Sequence, residues 1–441
     1  MIKHFKQQGN EVKVTSLQTS QNWFYALLVF AALSGLGIVY LFLRGTIWEG
    51  HFMEWMNLVV RVIHITFGIA WIGASFYFVF LENALNRTEN VRDELAGNLW
   101  AVHGGGFYYL EKYKLAPKRI PKDLHWFKYE AYFTWLSGFS LLIIVYYFNA
   151  KSILIDPEVL DISAFTAISI SVLSLVIGWI LYDQICKHLS KNKTIFTIAI
   201  TVLVFVFAWI YCQIFSGRAA YIHFGAFLGT LMAANVFFVI IPGQKRMVNA
   251  AKKGELPDPK DGKAAMMRSY TNNYFTLPVL FVMVSNHFPS TFGNDYEWAV
   301  LIAITVGTAG IKHYLNLREK GQLSVWIMPI SVIILLGVAF TTAPEPPKYE
   351  NCTTEVSFTE VVSIVKNRCA VCHSKSPKDE VWKVAPNGVM YDTPEQIYNL
   401  REKIYQRAVL SKNMPFNNNQ TGMLEEERDM INCWMNQGAP K

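Results

Sequence analysis

The sequence predicts an all-α protein: a polytopic transmembrane bundle of about nine helices, followed by a small helical C-terminal domain. Three observations predict it. Apolar residues make up 52% of the 441-residue chain and are gathered into runs, several of which reach the roughly 20 residues needed to cross a bilayer. The runs stop at a stiff Pro-rich stretch, Ala343-Pro-Glu-Pro-Pro-Lys348. Beyond it, Cys369-Ala-Val-Cys372-His373 spells C-x-x-C-H, the attachment signature of a c-type haem. Two thiols at that spacing form thioethers to the porphyrin edge, and the histidine that follows sits under the iron.

Residues 1–22 are a polar tail carrying Lys3, Lys6 and Lys13. Residues 23–43 are the first apolar run; the long polar leader and the lack of an A-x-A site read as an uncleaved span rather than a signal peptide. Residues 56–81 are the second, followed by a long charged loop, 82–130. Spans then follow at 131–148, 163–182, 194–215 and 219–241. A second charged loop covers 243–272. A short span with Pro278 covers 273–288, and the last two cover 296–315 and 324–342. The expected organisation is a tail 1–22, a membrane domain 23–342, a linker 343–349 and a haem domain 350–441. Within the last, 356–368 reads as a helix with Phe358, Val361, Val362 and Val365 on one side. Residues 424–435 read as another, with Thr421 as N-cap and Glu425, Glu426 and Glu427 in the favoured first turn. Met414, before Pro415, supplies the second axial ligand, since a thioether there raises a haem's potential. Together these features resemble a small class I cytochrome c over about residues 350–441.

The net charge of +7 sits in loops between the apolar runs, which suits membrane orientation and not nucleic-acid binding. No P-loop, zinc-finger spacing or G-x-G-x-x-G is present, and His103-Gly-Gly-Gly106 lacks the Lys-Ser/Thr of a phosphate loop. Haem attachment takes place outside the cytoplasm, so an odd number of spans puts the N-terminus inside. Lys and Arg agree: they crowd loops 82–130, 183–193, 243–272 and 312–323, while the alternate loops offer only Arg44, Lys151 and Arg218. Of the six cysteines, Cys186 and Cys212 read as packing thiols. Cys352 and Cys433 bracket the haem domain, either paired or as two free thiols.

Ionisable residues within spans are costly and mark function. Arg61 and His64 share a helix face, with His64 about 12 Å deep at 1.5 Å per residue. With Gln213, Arg218, His223, Asn286 and His287 they form a set toward the outer side; His103, His125 and His313 lie toward the inner side. Two uses are open: paired histidines hold a b-type haem or a metal, or His and Arg bind and deprotonate an anionic substrate.

Residues from about 55 to 315 resemble the membrane-bound, PuuD-type urate oxidases of bacteria, which hydroxylate urate. The resemblance rests on Arg61-Val-Ile-His-Ile-Thr-Phe-Gly-Ile-Ala-Trp-Ile-Gly73, Val102-His-Gly-Gly-Gly-Phe-Tyr108, Trp135-Leu-Ser-Gly-Phe139 and Gln213-Ile-Phe-Ser-Gly-Arg218. Ala234-Asn-Val-Phe-Phe238, Leu277-Pro-Val, Ser285-Asn-His287 and His313-Tyr extend it. That family also carries a C-terminal cytochrome c; the span 23–43 and the pair Cys352 and Cys433 depart from its pattern. The resemblance implies oxidation of urate to 5-hydroxyisourate with oxygen from water. Electrons then pass to the fused haem c, held by Cys369, Cys372, His373 and Met414, and on to a downstream acceptor such as a cytochrome oxidase. The implied location is the bacterial inner membrane, in contact with lipid, with the haem domain periplasmic. His64, Arg61, Arg218, His223 and His287 are the expected catalytic set. An electron-transfer subunit without its own substrate, or a transporter with a regulatory haem domain, would use the same organisation.

Overall fold

The computed structural model describes residues 27, 31, 34–46, 48–117, 119–121, 123–343, 352, 355–379, 382–416 and 421–441. The tail 1–22, most of the first half of the run 23–43, and the linker beyond residue 343 lie outside the described residues. The chain divides into two units, residues 1–56 and 57–441. In the first, helix α1 (Ser34–Leu43) is short and apolar. It ends in a turn that the Glu49 carboxylate closes, accepting from the Gly45 N–H at 2.7 Å and the Tyr40 hydroxyl at 3.3 Å.

Among the described residues, five helices are long and apolar enough to cross a membrane: α2 (Trp48–Ala84), α4 (Ala164–Leu189), α5 (Lys193–Cys212), α6 (Gly217–Lys252) and α8 (Glu297–Glu319). Helices α3 (Tyr129–Leu141), α7 (Pro259–Ser285, with Pro278 inside it) and α9 (Ile327–Thr341) complete the bundle. Each apolar run read from the sequence after residue 55 therefore coincides with a helix. Burial shows what surrounds them. On α5, Ile198, Val202, Val206 and Trp209 form an exposed apolar stripe, while Leu203, Val204, Phe207 and Tyr211 are buried. A soluble helix would put that stripe inside. Helix α6 is the bundle's centre: Tyr221, His223, Phe224, Phe227, Leu228 and Leu231 are fully buried. Close packing holds these helices together. Phe227 stacks on Phe207 with centroids 4.3 Å apart, and it approaches α4 only because residue 178 is glycine; a Cβ there would fall 2.4 Å from the Phe227 ring.

Within the bundle, two of the described helices carry π-helical turns, a feature often found at functional sites. Helix α3 runs on into one at Leu142–Tyr147, and a second follows at Ala150–Leu154. Helix α6 contains one at Asn235–Ile240.

The loop 82–130, read from sequence only as charged, contains a β-hairpin. Strands β1 (Leu95–His103) and β2 (Gly106–Tyr113) pair antiparallel, with Trp100 opposite Tyr109 and Val102 opposite Phe107. Gly104 and Gly105, with φ of 57° and 80°, make its two-residue turn, the left-handed pair such a hairpin demands. The His103-Gly-Gly-Gly106 motif is thus a turn.

Residues 356–439 build a separate hydrophobic core around Val361, Val365, Ile397, Ile431 and Trp434. Its main helices are α10 (Phe358–Arg368), α11 (Pro394–Asn399) and α12 (Glu425–Asn436). Phe358 stacks on Trp434 at 5.5 Å, tying the first helix to the last. Cys352 and Cys433 are joined in a disulfide with Cα atoms 5.2 Å apart, which settles the pairing left open by the sequence. Closing a loop of that length stabilises by on the order of 4 kcal/mol in the chain-entropy view. Thr421 is not the cap of α12. Its hydroxyl donates to the Arg368 carbonyl at 2.9 Å, and Leu424 stands at the cap with its N–H donating to Glu427 at 2.8 Å. Arg368 holds the same Glu427 at 2.9 Å, so the carboxylate is drawn back toward α10 and closes the helix from inside.

Candidate active site

Ser216 starts α6 by accepting from the Ala219 N–H at 3.4 Å and donating to the Ile153 carbonyl at 2.6 Å. This fixes the first turn, which carries Arg218 and, one turn on, His223. Arg218 donates to the backbone carbonyl of Asn286, at the end of α7, at 3.2 Å. Arg61 on α2 donates to Asn57 at 3.1 Å. The two guanidiniums lie within electrostatic reach of each other and of the Tyr146 hydroxyl, which the Asn286 side chain faces. Among the described residues, no carboxylate lies within ion-pair distance of either arginine.

His223 is fully buried. Its ring packs against Tyr146 edge-on at 5.8 Å and against Phe215 at 4.5 Å. Nδ1 donates to the Ala219 carbonyl at 2.7 Å, which leaves Nε2 as the acceptor, and Nε2 is buried with no hydrogen-bond partner. The Asn286 carboxamide oxygen is likewise buried without a partner. An unsatisfied buried acceptor costs about 1–3 kcal/mol. Two of them, beside two cations without counter-charges, describe a site shaped for something that brings both N–H groups and negative charge.

The other expected residues sit differently. His64 is half-buried against α3, with Nδ1 2.9 Å from the Thr134 carbonyl and 3.2 Å from Ser137 Oγ. A Cβ at Gly138 would fall 2.9 Å from its ring. It stands one turn deeper than Arg61. His287 is exposed beyond the end of α7. Among the described residues, no group of three or more His, Cys, Asp or Glu converges as a metal-binding set. Tyr146, which completes the cluster, was missed in the sequence because one tyrosine in an aromatic-rich run carries no signal of its own.

The C-terminal domain meets the same end of the bundle. Phe416, two residues after Met414, packs against the bundle core, and its ring lies 4.8 Å beneath the Arg218 guanidinium, with Trp382 edge-on at 5.9 Å. The backbone of Met414 is pinned from both sides: its N–H donates to Arg407 at 3.0 Å and its carbonyl accepts from Arg428 at 2.9 Å. Cys369 and Cys372 are free thiols on the turn after α10, and burial pushes both up to about 12, so they are protonated at neutral pH. His373 Nδ1 donates to the Val389 carbonyl at 3.0 Å, which leaves Nε2 free to serve as a ligand. These residues fit a covalently attached haem.

The opposite end of the bundle holds a buried polar network the sequence reading did not anticipate. Arg268, 3% exposed, pairs with Asp183 at 2.5 Å and donates to Asn235 at 3.1 Å. Asn235, at the start of the π turn, donates to the Tyr182 hydroxyl at 2.9 Å and to Asn272 at 2.7 Å. The Arg268–Asn272 spacing of four was the available signal. It was hidden because 243–272 reads as a charged loop.

No curated protein and no solved structure matches the chain. The family model of the urate oxidase N-terminal region matches residues 50–343, which is the whole bundle from α2 to the end of α9. The chain that brings Arg61, Arg218, Tyr146 and His223 together is therefore a member of the urate oxidase N-terminal family.

Proposed function

We propose that the chain is a membrane-bound oxidoreductase that oxidises urate, by hydroxylation with water to 5-hydroxyisourate, and hands the electrons to its own C-terminal haem segment. The observation that carries this reading is the pair of buried, unpartnered acceptors, His223 Nε2 and Asn286 Oδ1, beside two uncompensated guanidiniums. Urate is a planar anion edged with N–H donors and carbonyl acceptors. His223 and Asn286 accept from its N–H groups; Arg61 and Arg218 balance its charge and donate to its oxygens. Oxidation releases protons, and a neutral imidazole with Nε2 open and Nδ1–H anchored is set to take one. Tyr146 closes the site between the arginines and the imidazole. A c-type haem held by Cys369, Cys372, His373 and Met414 would supply a one-electron acceptor, so the two electrons of each urate would leave in two successive transfers, with a downstream acceptor reoxidising the haem between them. Arg218 touches both the substrate cluster and Phe416, which puts the reducing end of the reaction beside the Met414 segment. On the nine-span topology read from the sequence, with the haem domain outside and the N-terminus inside, urate would bind on the outer side and no electron would have to cross the bilayer.

The test is to add urate without oxygen to the oxidised protein and follow the haem absorption. Urate is expected to reduce the haem, and Arg218→Lys is expected to raise the apparent urate KM by about tenfold or more, because a planar two-pronged contact becomes a point charge while the charge remains. Stoichiometric hydrogen peroxide, with the haem staying oxidised while urate disappears, would overturn the coupled reaction.

A further inference from the structure

The seam between α7 and α8 holds a second cluster that neither the reaction nor the fold uses. On α7, Tyr270, Asn273 and Tyr274 share one face by their spacing; on α8, Lys312, His313 and Asn316 lie within one turn. Asn273 is fully buried and Asn316 is 1% exposed, with the Asn273 amide donating to the Asn316 carbonyl oxygen at 3.0 Å. A carboxamide pair normally closes both ways. Here it closes once: Asn273 Oδ1 is buried without a partner, and so is the Tyr270 hydroxyl, while the Asn316 amide faces the Tyr274 hydroxyl. His313 is fixed through Nδ1 by the Tyr274 hydroxyl at 2.7 Å.

Lys312 is 2% exposed. Its ammonium lies 3.8 Å above the Phe76 ring of α2. The carboxylate that bears on it, Glu319, is beyond ion-pair distance and accepts instead from Asn83 at 2.9 Å. The cluster thus offers one buried cation, an open hydroxyl and an open amide acceptor, flanked by the rings of Tyr270, Tyr274 and Phe76. Asn273 stands twelve residues before Ser285, and Lys312 fifteen after Glu297. At 1.5 Å per residue both are about 20 Å from the end that carries Arg218.

From this we infer that the α7–α8 seam is a second binding site, for a planar, oxo-substituted heterocyclic anion that presents both N–H and C=O edges. The cation takes the charge, the Asn273 oxygen accepts an N–H, the Tyr270 hydroxyl donates to a carbonyl, and the rings enclose the flat faces. The choice of urate as the probe rests on the reading proposed for the other end; the existence of the site does not.

The experiment measures binding of radiolabelled urate to the purified full-length protein by equilibrium dialysis, with the haem first reduced by dithionite so that no urate is consumed. Two molecules per chain are expected for the parent. One is expected for Lys312→Met and for Asn273→Leu, each with an unchanged initial rate of haem reduction by urate in the oxidised protein. Arg218→Gln should also retain one, the one in the seam. A single molecule in the parent that Arg218→Gln abolishes and Lys312→Met leaves in place overturns the inference. So does a parent stoichiometry of two that neither seam variant lowers. A single molecule lost in Lys312→Met but kept in Arg218→Gln would support the seam and count against the reading of the other end. If Lys312→Met fails to fold, Asn273→Leu reads the same outcome.

Discussion

His223 is buried with an imidazole nitrogen that nothing in the protein satisfies. For a residue whose only task was packing, that would be a poor choice, since a leucine fills similar space without an orphaned acceptor. This makes stability and function separable at one position. His223→Leu is expected to keep or slightly raise the thermal midpoint, because removing an unsatisfied polar atom recovers part of about 1–3 kcal/mol, while abolishing urate-dependent haem reduction. A variant that unfolds instead would show that the ring is structural. His223, Arg61 and Arg218 were legible because ionisable residues inside an apolar run are conspicuous. Tyr146, Asn273 and Asn316 were not, because neutral polar residues in an apolar run differ little in pattern from packing residues. Their meaning lies in which hydrogen bonds go unmade, and only side-chain positions show that.

At the scale of elements, the apolar runs located the bundle helices well, since length and hydropathy determine them. What they concealed was local. The hairpin 95–113 was hidden by flanking charge, although Trp100, Val102, Phe107 and Tyr109 share one of its faces. The helical start of α7 at Pro259 was hidden because its first turns are polar, which is why Arg268 was assigned to a loop. In the C-terminal domain the capping box of α10 is written in Ser357-Phe-Thr-Glu360: the Ser357 N–H and hydroxyl donate to the Glu360 carboxylate at 2.8 and 2.7 Å. Those bonds hold the Glu360 carboxyl below the ordinary carboxylate value. A depressed carboxylate contributes stability above its unfolded value and loses it as pH falls through the folded one. As the loss of an N-cap side chain, Ser357→Ala is expected to cost about 1 kcal/mol near neutral pH. The gap between variant and parent should narrow under acid; pulse proteolysis in urea at several pH values reads it. A gap that widens as pH falls would contradict the sign.

For the whole molecule, two claims are joined: where the membrane lies and how the two chemical parts meet. The nine-span topology proposed from the sequence would put the α6–α7 loop inside and the α7–α8 loop outside. A cysteine placed by Asp258→Cys is expected to react with an impermeant maleimide only from the cytoplasmic side, and one placed by Ser290→Cys only from the other. Labelling of both from one side would remove α7 as a span.

How the parts meet is decided at Phe416. Its ring is the floor under Arg218, it packs on the bundle core, and it follows Met414 by two residues. A guanidinium over a ring contributes about 0.5–2 kcal/mol depending on how dry the contact is, enough to bias how often the haem segment sits against the substrate cluster. Phe416→Ala is expected to leave haem content, midpoint potential and reduction by ascorbate unchanged, since the ligands and their backbone pins at Arg407 and Arg428 are untouched. Reduction by urate should slow by about tenfold, the kinetic equivalent of 1.4 kcal/mol, at saturating substrate as well as at low substrate. Phe416→Tyr, which keeps the ring, should restore it. A loss confined to KM would instead make Phe416 part of the urate pocket. An unchanged rate in Phe416→Ala would mean that the two parts exchange electrons through some other contact, and that the Arg218–Phe416 stack only seals the mouth of the bundle.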